Sequence, residues 1–551
     1  MFRHALDVQV LDGLNYVTFE AVADDARVNV HDNRIKGVPD KFEDVSMSQE
    51  DAPFHNGDRP DTRDATVARS VDQGPMRQSP PPGGDENAAA TSTQVRAGFV
   101  LFIACAATFI ATLDISVANI ALPRISLAFP GASVTTLTWV ISGYAVTFAA
   151  LLCPAGRLAD TLGRGQVFVS SVLVFGVTSA LCGASNSIGL LISARVVQGM
   201  AAAFMIPAAL AITLAATPIQ RIPAAIGLWS AVAGLSAALG PVIGGALIAG
   251  WGWRSVFFVN VPLVVVIAIT SVRVVPMHRP AQRAVWPDPL GVLCFAGGIG
   301  LVVAGLTEGS TWAWISWRTA AAMAAGIALV AIALIRSSTR SNPAIPTGLW
   351  RSRTFAKANV ASFLFGTALF LGGLAAPLFL ALIWNYSIWE SAGALSAATL
   401  ASIVSATVAG RRVTEETTFV FASVGMGMLC LSNIWMGSSA LGLERQLWET
   451  WVPAMVLGGL GIGLAITAIS VAAASAVSPL DFASGLGLNL TARQLGGAVG
   501  VAIVATVLAA NRHNLLDGFH LVYDLCAVVS LIGALAGLAL RSRSEEPAAF
   551  G

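Results

Sequence analysis

From residue 97 to residue 540 the chain is a succession of apolar stretches, each close to the roughly 20 residues that an α-helix needs to cross the hydrocarbon of a bilayer. Read with that ruler, fourteen helices are expected, over residues 97–122, 134–155, 166–184, 187–215, 223–249, 255–275, 289–307, 318–336, 356–384, 391–410, 418–438, 450–477, 484–510 and 519–540. In lipid every backbone N–H and C=O must find its partner within its own segment, so helices of this kind can only assemble as an all-α polytopic bundle. An even number brings both ends of the chain to one face.

Charge says which face. If residues before 97 are cytoplasmic, sixteen of the basic residues beyond residue 95 fall in inner loops and ends, among them Arg157, Arg164, Arg221, Arg279, Arg283, Arg411 and Arg412. Arg124, Arg254, Arg318, Arg445 and Arg512 fall in outer loops, and Arg195 and Arg493 lie within helices. This is the positive-inside bias, and one miscounted helix would scramble it. Only 11% of all residues are charged and the mean hydropathy is +0.72, against about 25% charged residues in a soluble domain. A soluble enzyme, a nucleic-acid-binding domain and a single-span receptor are thereby excluded.

Residues 1–95 are different material, with nine Lys/Arg against seventeen Asp/Glu and proline-broken stretches such as Ser79 to Gly84. They carry too little apolar surface to build a core and are expected to form a disordered cytoplasmic tail, dispensable up to Met76 and without a signal-peptide stretch. The six cysteines are scattered singly in apolar runs and read as small packing residues. The six histidines have no metal spacing, and His513 with His520 reads as a solvated loop pair. No metal and no cofactor is expected.

Asp114 stands deep in the first helix, where a carboxylate costs about 3 kcal/mol on insertion scales and faces a cavity or a partner. It is a candidate proton-coupling or cation-binding group, or else a structural carboxylate paired with a neighbouring helix. Arg195, in the fourth helix, cannot discard its charge and shares a helix face with Gln198. It either joins in proton movement or staples helices through backbone carbonyls. The stretch Gly156-Arg157-Leu158-Ala159-Asp160-Thr161-Leu162-Gly163-Arg164-Gly165 reads as a tight loop in which Asp160 bridges arginines or caps the next helix. In the fifth helix Ser236, Gly240 and Gly244 make a smooth face and Pro241, ahead of Gly244 and Gly245, removes a backbone donor, which together read as a pivot.

These segments, in this order, resemble the signature motifs of the major facilitator superfamily, in its fourteen-helix drug/proton antiporter (EmrB/QacA-type) branch. Leu113-Asp114 through Pro123 resembles the first-helix motif, Gly156 to Gly165 the loop motif, Arg195 to Gly199 the fourth-helix motif and Gly240 to Gly245 the antiporter motif. Trp253 to Pro262, with Arg254 and Asn260, and Ala483-Ser484-Gly485 with Arg493 and Gln494 match as well. The resemblance implies two six-helix bundles with two helices inserted between them. The expected division is 96–275 for the first bundle, 276–355 for the linker with its two helices, 356–541 for the second bundle and 542–551 for a cytoplasmic tail.

The resemblance further implies a plasma-membrane protein, not an enzyme, that exports amphipathic small molecules by alternating access. Protons and the substrate are its partners, together with the lipid bilayer; nucleic acid is not, and a monomer is expected. Asp114 would be the protonated carboxylate, Arg195 a relay or gating residue, and Gly156, Arg157, Asp160, Gly163 and Arg164 a cytoplasmic gate. The alternative is an exporter or facilitator of an endogenous metabolite such as a lipid, siderophore or secondary metabolite. Three departures stand out. Thr161 and Gly165 stand where the family loop has extra basic residues. Thr414 falls where the second half of the family has an aspartate, with Glu415 as a substitute, and the later helices lack a mid-membrane carboxylate.

Overall fold

The computed structural model describes residues 85–275 and 286–541, which belong to one compact unit, Pro81–Gly551. The expectations for the acidic tail and for His278, Arg279, Arg283 and Arg543 lie outside the described residues.

Fourteen long helices follow one another: α1 (Asp85–Ala128), α2 (Val134–Leu162), α3 (Arg164–Ala184), α4 (Ile188–Ala216), α5 (Ile222–Trp251), α6 (Ser255–Val274), α7 (Pro289–Trp312) and α8 (Trp317–Thr339). After a connecting segment come α9 (Arg353–Leu382), α10 (Ile388–Arg412), α11 (Thr418–Gly437), α12 (Val452–Ser475), α13 (Phe482–Ala510) and α14 (Leu515–Leu538). Thirteen are long and apolar enough to cross a membrane, and the fourteenth, α5, carries the apolar stretch Val242–Trp251. Serines start many of them. Ser133, Ser187, Ser316 and Ser352 each accept an otherwise unpartnered N–H of the first turn, and Ser387 with Glu390 forms a reciprocal capping box.

The packing repeats itself. In the first half α1 lies on α4, α5 and α6, α2 on α4, and α3 on α4 and α6. In the second half α9 lies on α12, α13 and α14, α10 on α12, and α11 on α12 and α14. This is the pattern of parallel repeats related by an axis along the membrane normal: two six-helix bundles that meet where α2 crosses α13 and where α5 crosses α10. The hairpin α7–α8 is inserted between them, α7 against α2 and α13 and α8 against α7. Arg336 of α8 donates from Nε and Nη2 to both Asp288 oxygens (2.8 and 2.9 Å), closing the open end of that hairpin and holding the Asp288 carboxyl below the usual carboxylate range.

Apolar side chains face both ways, as a bilayer requires. Phe102, Val177, Val266, Leu293, Ile335 and Leu535 are exposed around the outside, where lipid tails would lie. Inside the second bundle Phe379, Trp384, Trp451 and Phe519 are fully buried, with ring centroids 5.3–5.7 Å apart along the chain of contacts through Phe379. All six cysteines are free; five are buried and Cys294 is partly buried.

Three expectations need correction. Residues 156–162, expected in a loop, are the last turns of α2, because the chain reverses at Gly163 alone, with φ of 108°. Likewise Gly410, Arg411 and Arg412 end α10. His520 sits within α14 with Nε2 2.8 Å from the Leu441 carbonyl, so it is not a loop residue.

Candidate functional site

Asp114 is 2% exposed, near the middle of the apolar part of α1, and two other helices of the first bundle turn polar side chains onto it. Arg195 Nη1, from α4, donates to Oδ2 as a buried ion pair. Gln198, one helical turn on, donates from Nε2 to Oδ1 (3.1 Å), and Asn260 of α6 donates from Nδ2 to the same oxygen (2.9 Å). Arg195 Nη1 also donates to Gln198 Oε1 (2.9 Å), and its Nε donates to the Val140 carbonyl (3.1 Å). The guanidinium lies over the Tyr144 ring at 4.4 Å. Ser179 holds Asn260 in turn, accepting from Nδ2 at 3.1 Å and donating to the Phe257 carbonyl at 2.8 Å. Asn260 Oδ1 has no partner.

The carboxylate therefore accepts from three side chains, and each of these partners is a donor. A hydrogen added to either oxygen would point at a donor. Proton uptake requires one of the donors to move.

A second cluster closes one end of the molecule. Asp160, in the last turn of α2, accepts from Arg164 Nε (2.7 Å), from the backbone N–H of Ala483 (3.3 Å) and Ser484 (2.8 Å), and from Ser484 Oγ (2.6 Å). It thus caps the N-terminus of α13 in the other bundle, where the helix dipole favours an anion, and not that of the following α3. Arg164 Nη2 donates to the Pro479 and Leu480 carbonyls (2.6 and 2.8 Å), and Arg157 pairs with Asp481 at 3.5 Å. Gly156 faces the backbone of Ala483 and Ser484 so closely that a Cβ has no room. Gly163 supplies the reversal that brings Arg164 back to this end.

The remaining candidates stand apart. Gly240 and Gly244 lie against Ser116 and Val117 of α1, two and three residues past Asp114, and Gly245 lies near Trp389 of α10. Pro241 stands within α5, whose helix runs unbroken through it. Arg254 donates to the Ser185 carbonyl (3.0 Å) and stacks on Trp253 at the α5–α6 turn. Arg493 is buried in α13 against Phe365 and Ser470, and Gln494 beside it is half-buried. Tyr144, Ser179 and Asp481 are site residues that sequence reasoning did not assign. A lone Asp481 at the mouth of α13 was the available signal, opposite the arginines of the first half.

Comparison with known proteins agrees with this architecture. The Major Facilitator Superfamily model matches residues 104–291. The tetracenomycin C resistance and export protein of Streptomyces glaucescens is 30% identical, over 78% of this chain and 79% of its own length. The puromycin resistance protein of Streptomyces alboniger is 33% identical, over 77% and 84%. Among solved structures, the human organic anion transporter MFSD10 superposes with a TM-score of 0.57 at 12% identity, covering 80% of this chain and 99% of that one, a likeness of fold alone. With its two repeated bundles, the inserted hairpin and these relatives, the chain belongs to the major facilitator superfamily, in its drug- and antibiotic-exporting branch.

Proposed function

We propose that this protein exports amphipathic small molecules across the plasma membrane, driven by protons that enter through Asp114, with no cofactor and as a monomer. The observation that carries the reading is the buried Asp114, gripped by Arg195, Gln198 and Asn260 from two other helices of one bundle. Protonating it breaks up a donor-only shell. Asn260 offers one route, since turning its amide over brings the unpartnered Oδ1 to face the new O–H. Gly240 and Gly244 of α5 touch α1 just beyond Asp114, so a shift of α1 on protonation is passed to a helix that also lies on the opposite bundle. The Asp160 cluster, which the arginine bias supports as cytoplasmic, would open and close in step with it. Relatives described as resistance and export proteins for tetracenomycin C and as a puromycin resistance protein support export of such compounds.

The test is uphill transport in proteoliposomes with an imposed pH gradient. Asp114→Asn should abolish uphill export while folding normally, since an amide cannot exchange a proton, and Asp114→Glu should keep part of it. Uphill export at the natural rate by Asp114→Asn would end the proton-coupling reading.

A further inference from the structure

The two bundles each bury one guanidinium at membrane depth, and only one of the two is neutralised. Arg195 has Asp114, whereas Arg493 of α13, 6% exposed, has no carboxylate within salt-bridge distance among the described residues. Its Nη2 donates to Ser470 Oγ of α12 (3.1 Å), the Phe365 ring of α9 lies 5.5 Å from its centre, and its Nε has no acceptor. A guanidinium stays charged at any physiological pH and presents a planar fork of donors suited to a carboxylate.

Further buried polar groups stand on the same two helices. Ser362, one turn before Phe365 and Gly366 on α9, and Thr467, one turn before Ser470 on α12, have fully buried hydroxyls with no partner. Each hydroxyl can donate. Three helices of the second bundle thus meet at a cation without a counter-ion, beside an aromatic face, with an unused hydroxyl one turn away on each of α9 and α12.

The geometry points to an anion site: Arg493, with Ser470, Ser362 and Thr467, takes the deprotonated acid group of an aromatic or otherwise apolar substrate, whose body stacks on Phe365. This rests on the export reading, and it names a substrate class. It also accounts for a buried guanidinium that has no carboxylate partner among the described residues, because the counter-ion arrives with the cargo.

Equilibrium binding tests it without any gradient, using the full chain in phosphatidylcholine discs and two fluorescent probes, 1-pyrenebutyrate and its uncharged amide. The acid should bind about tenfold more tightly than the amide, the size of effect that one charge-assisted contact supplies. Arg493→Gln should erase the preference, Arg493→Lys should keep part of it, and Ser470→Ala should weaken it. Thermal unfolding verifies that each variant is folded. Asp114→Asn should retain the full preference even though it stops uphill export, so the two readings fail separately. Equal binding of both probes, binding of neither by the natural protein, or an undiminished preference in a folded Arg493→Gln would overturn the site. So would competition by phosphatidylglycerol added to the discs, which would give the anion to a lipid headgroup.

Discussion

The two bundles cross at two places, and the crossings share a steric design but not an electrostatic one. Gly156 of α2 abuts the backbone of Ala483 and Ser484 at the start of α13, and Gly410 of α10 abuts Pro223 and Ala224 at the start of α5. One turn further in, Gly487 of α13 abuts the Leu152 carbonyl, and Gly227 of α5 abuts the Ala406 carbonyl. Even the short 3-10 turn before each helix recurs, at Ile219–Arg221 and Pro479–Asp481. The charges do not recur. Four residues after Gly156 stands Asp160, which takes three donors from α13; four residues after Gly410 stands Thr414, whose hydroxyl bonds to its neighbour Thr417. At the start of α5, in the places that Ala483 and Ser484 hold on α13, stand Pro223, which has no N–H, and Ala224, which has no hydroxyl. Where Arg157 meets Asp481, Arg411 and Arg221 carry like charge, and Glu415 makes no ion pair among the described residues. One crossing is fastened; the other is a smooth contact that can slide.

The largest effect should come from filling the shared steric frame. Gly156→Ala and Gly410→Ala each force a Cβ onto backbone atoms and should destabilise the closed bundle alike, by about 2 kcal/mol, read as a matched drop in thermal stability and transport. A severe Gly156→Ala beside a harmless Gly410→Ala would show that the crossings are not sterically equivalent. Next comes Asp160→Asn, which keeps the shape and loses the charge. Hydrogen bonds to a charged group contribute about 2 kcal/mol each, so amide hydrogen exchange at Ala483 and Ser484 should quicken at least tenfold, and unchanged protection would remove the fastening role. A smaller effect is expected for Thr414→Asp, since Pro223 has no N–H and Ala224 no hydroxyl, which leaves fewer donors than α13 offers Asp160; slowed exchange at the N-terminus of α5 would mean that the second crossing can be fastened by one carboxylate. Smallest is Arg157→Gln. Its pair with Asp481 is partly exposed, and removing it should cost about 0.5 kcal/mol or less.

The fold was legible because lipid imposes a length on every helix, and each of the fourteen expected spans lies on an observed helix. The ends were less legible. Glycines at 156 and 163 look like loop signals, yet Leu158, Ala159 and Leu162 carry the helix on, and only Gly163 needs a left-handed backbone. Partners were least legible. Arg195 and Gln198 share a face that the 3.6-residue period reveals, whereas Asn260 reaches Asp114 across 146 residues of sequence and Asp160 reaches Ser484 across 324. No local pattern encodes such pairs. Arg493 was visible as a charge inside a helix, but its lack of a counter-ion emerges only once α9, α12 and α13 are packed around it.

The placement of the sulfur atoms has a practical consequence. Five thiols are sealed among helices, and Cys294 lies within the apolar span Pro289–Gly309. Charged maleimides, which stay in water, have no native target at either surface of the described residues. A single reporter cysteine beside Asp481, or beside Trp389 at the other end of α10, would therefore give its own signal in the otherwise unaltered chain, and the order in which the two surfaces admit water could be followed without first stripping out the natural sulfur.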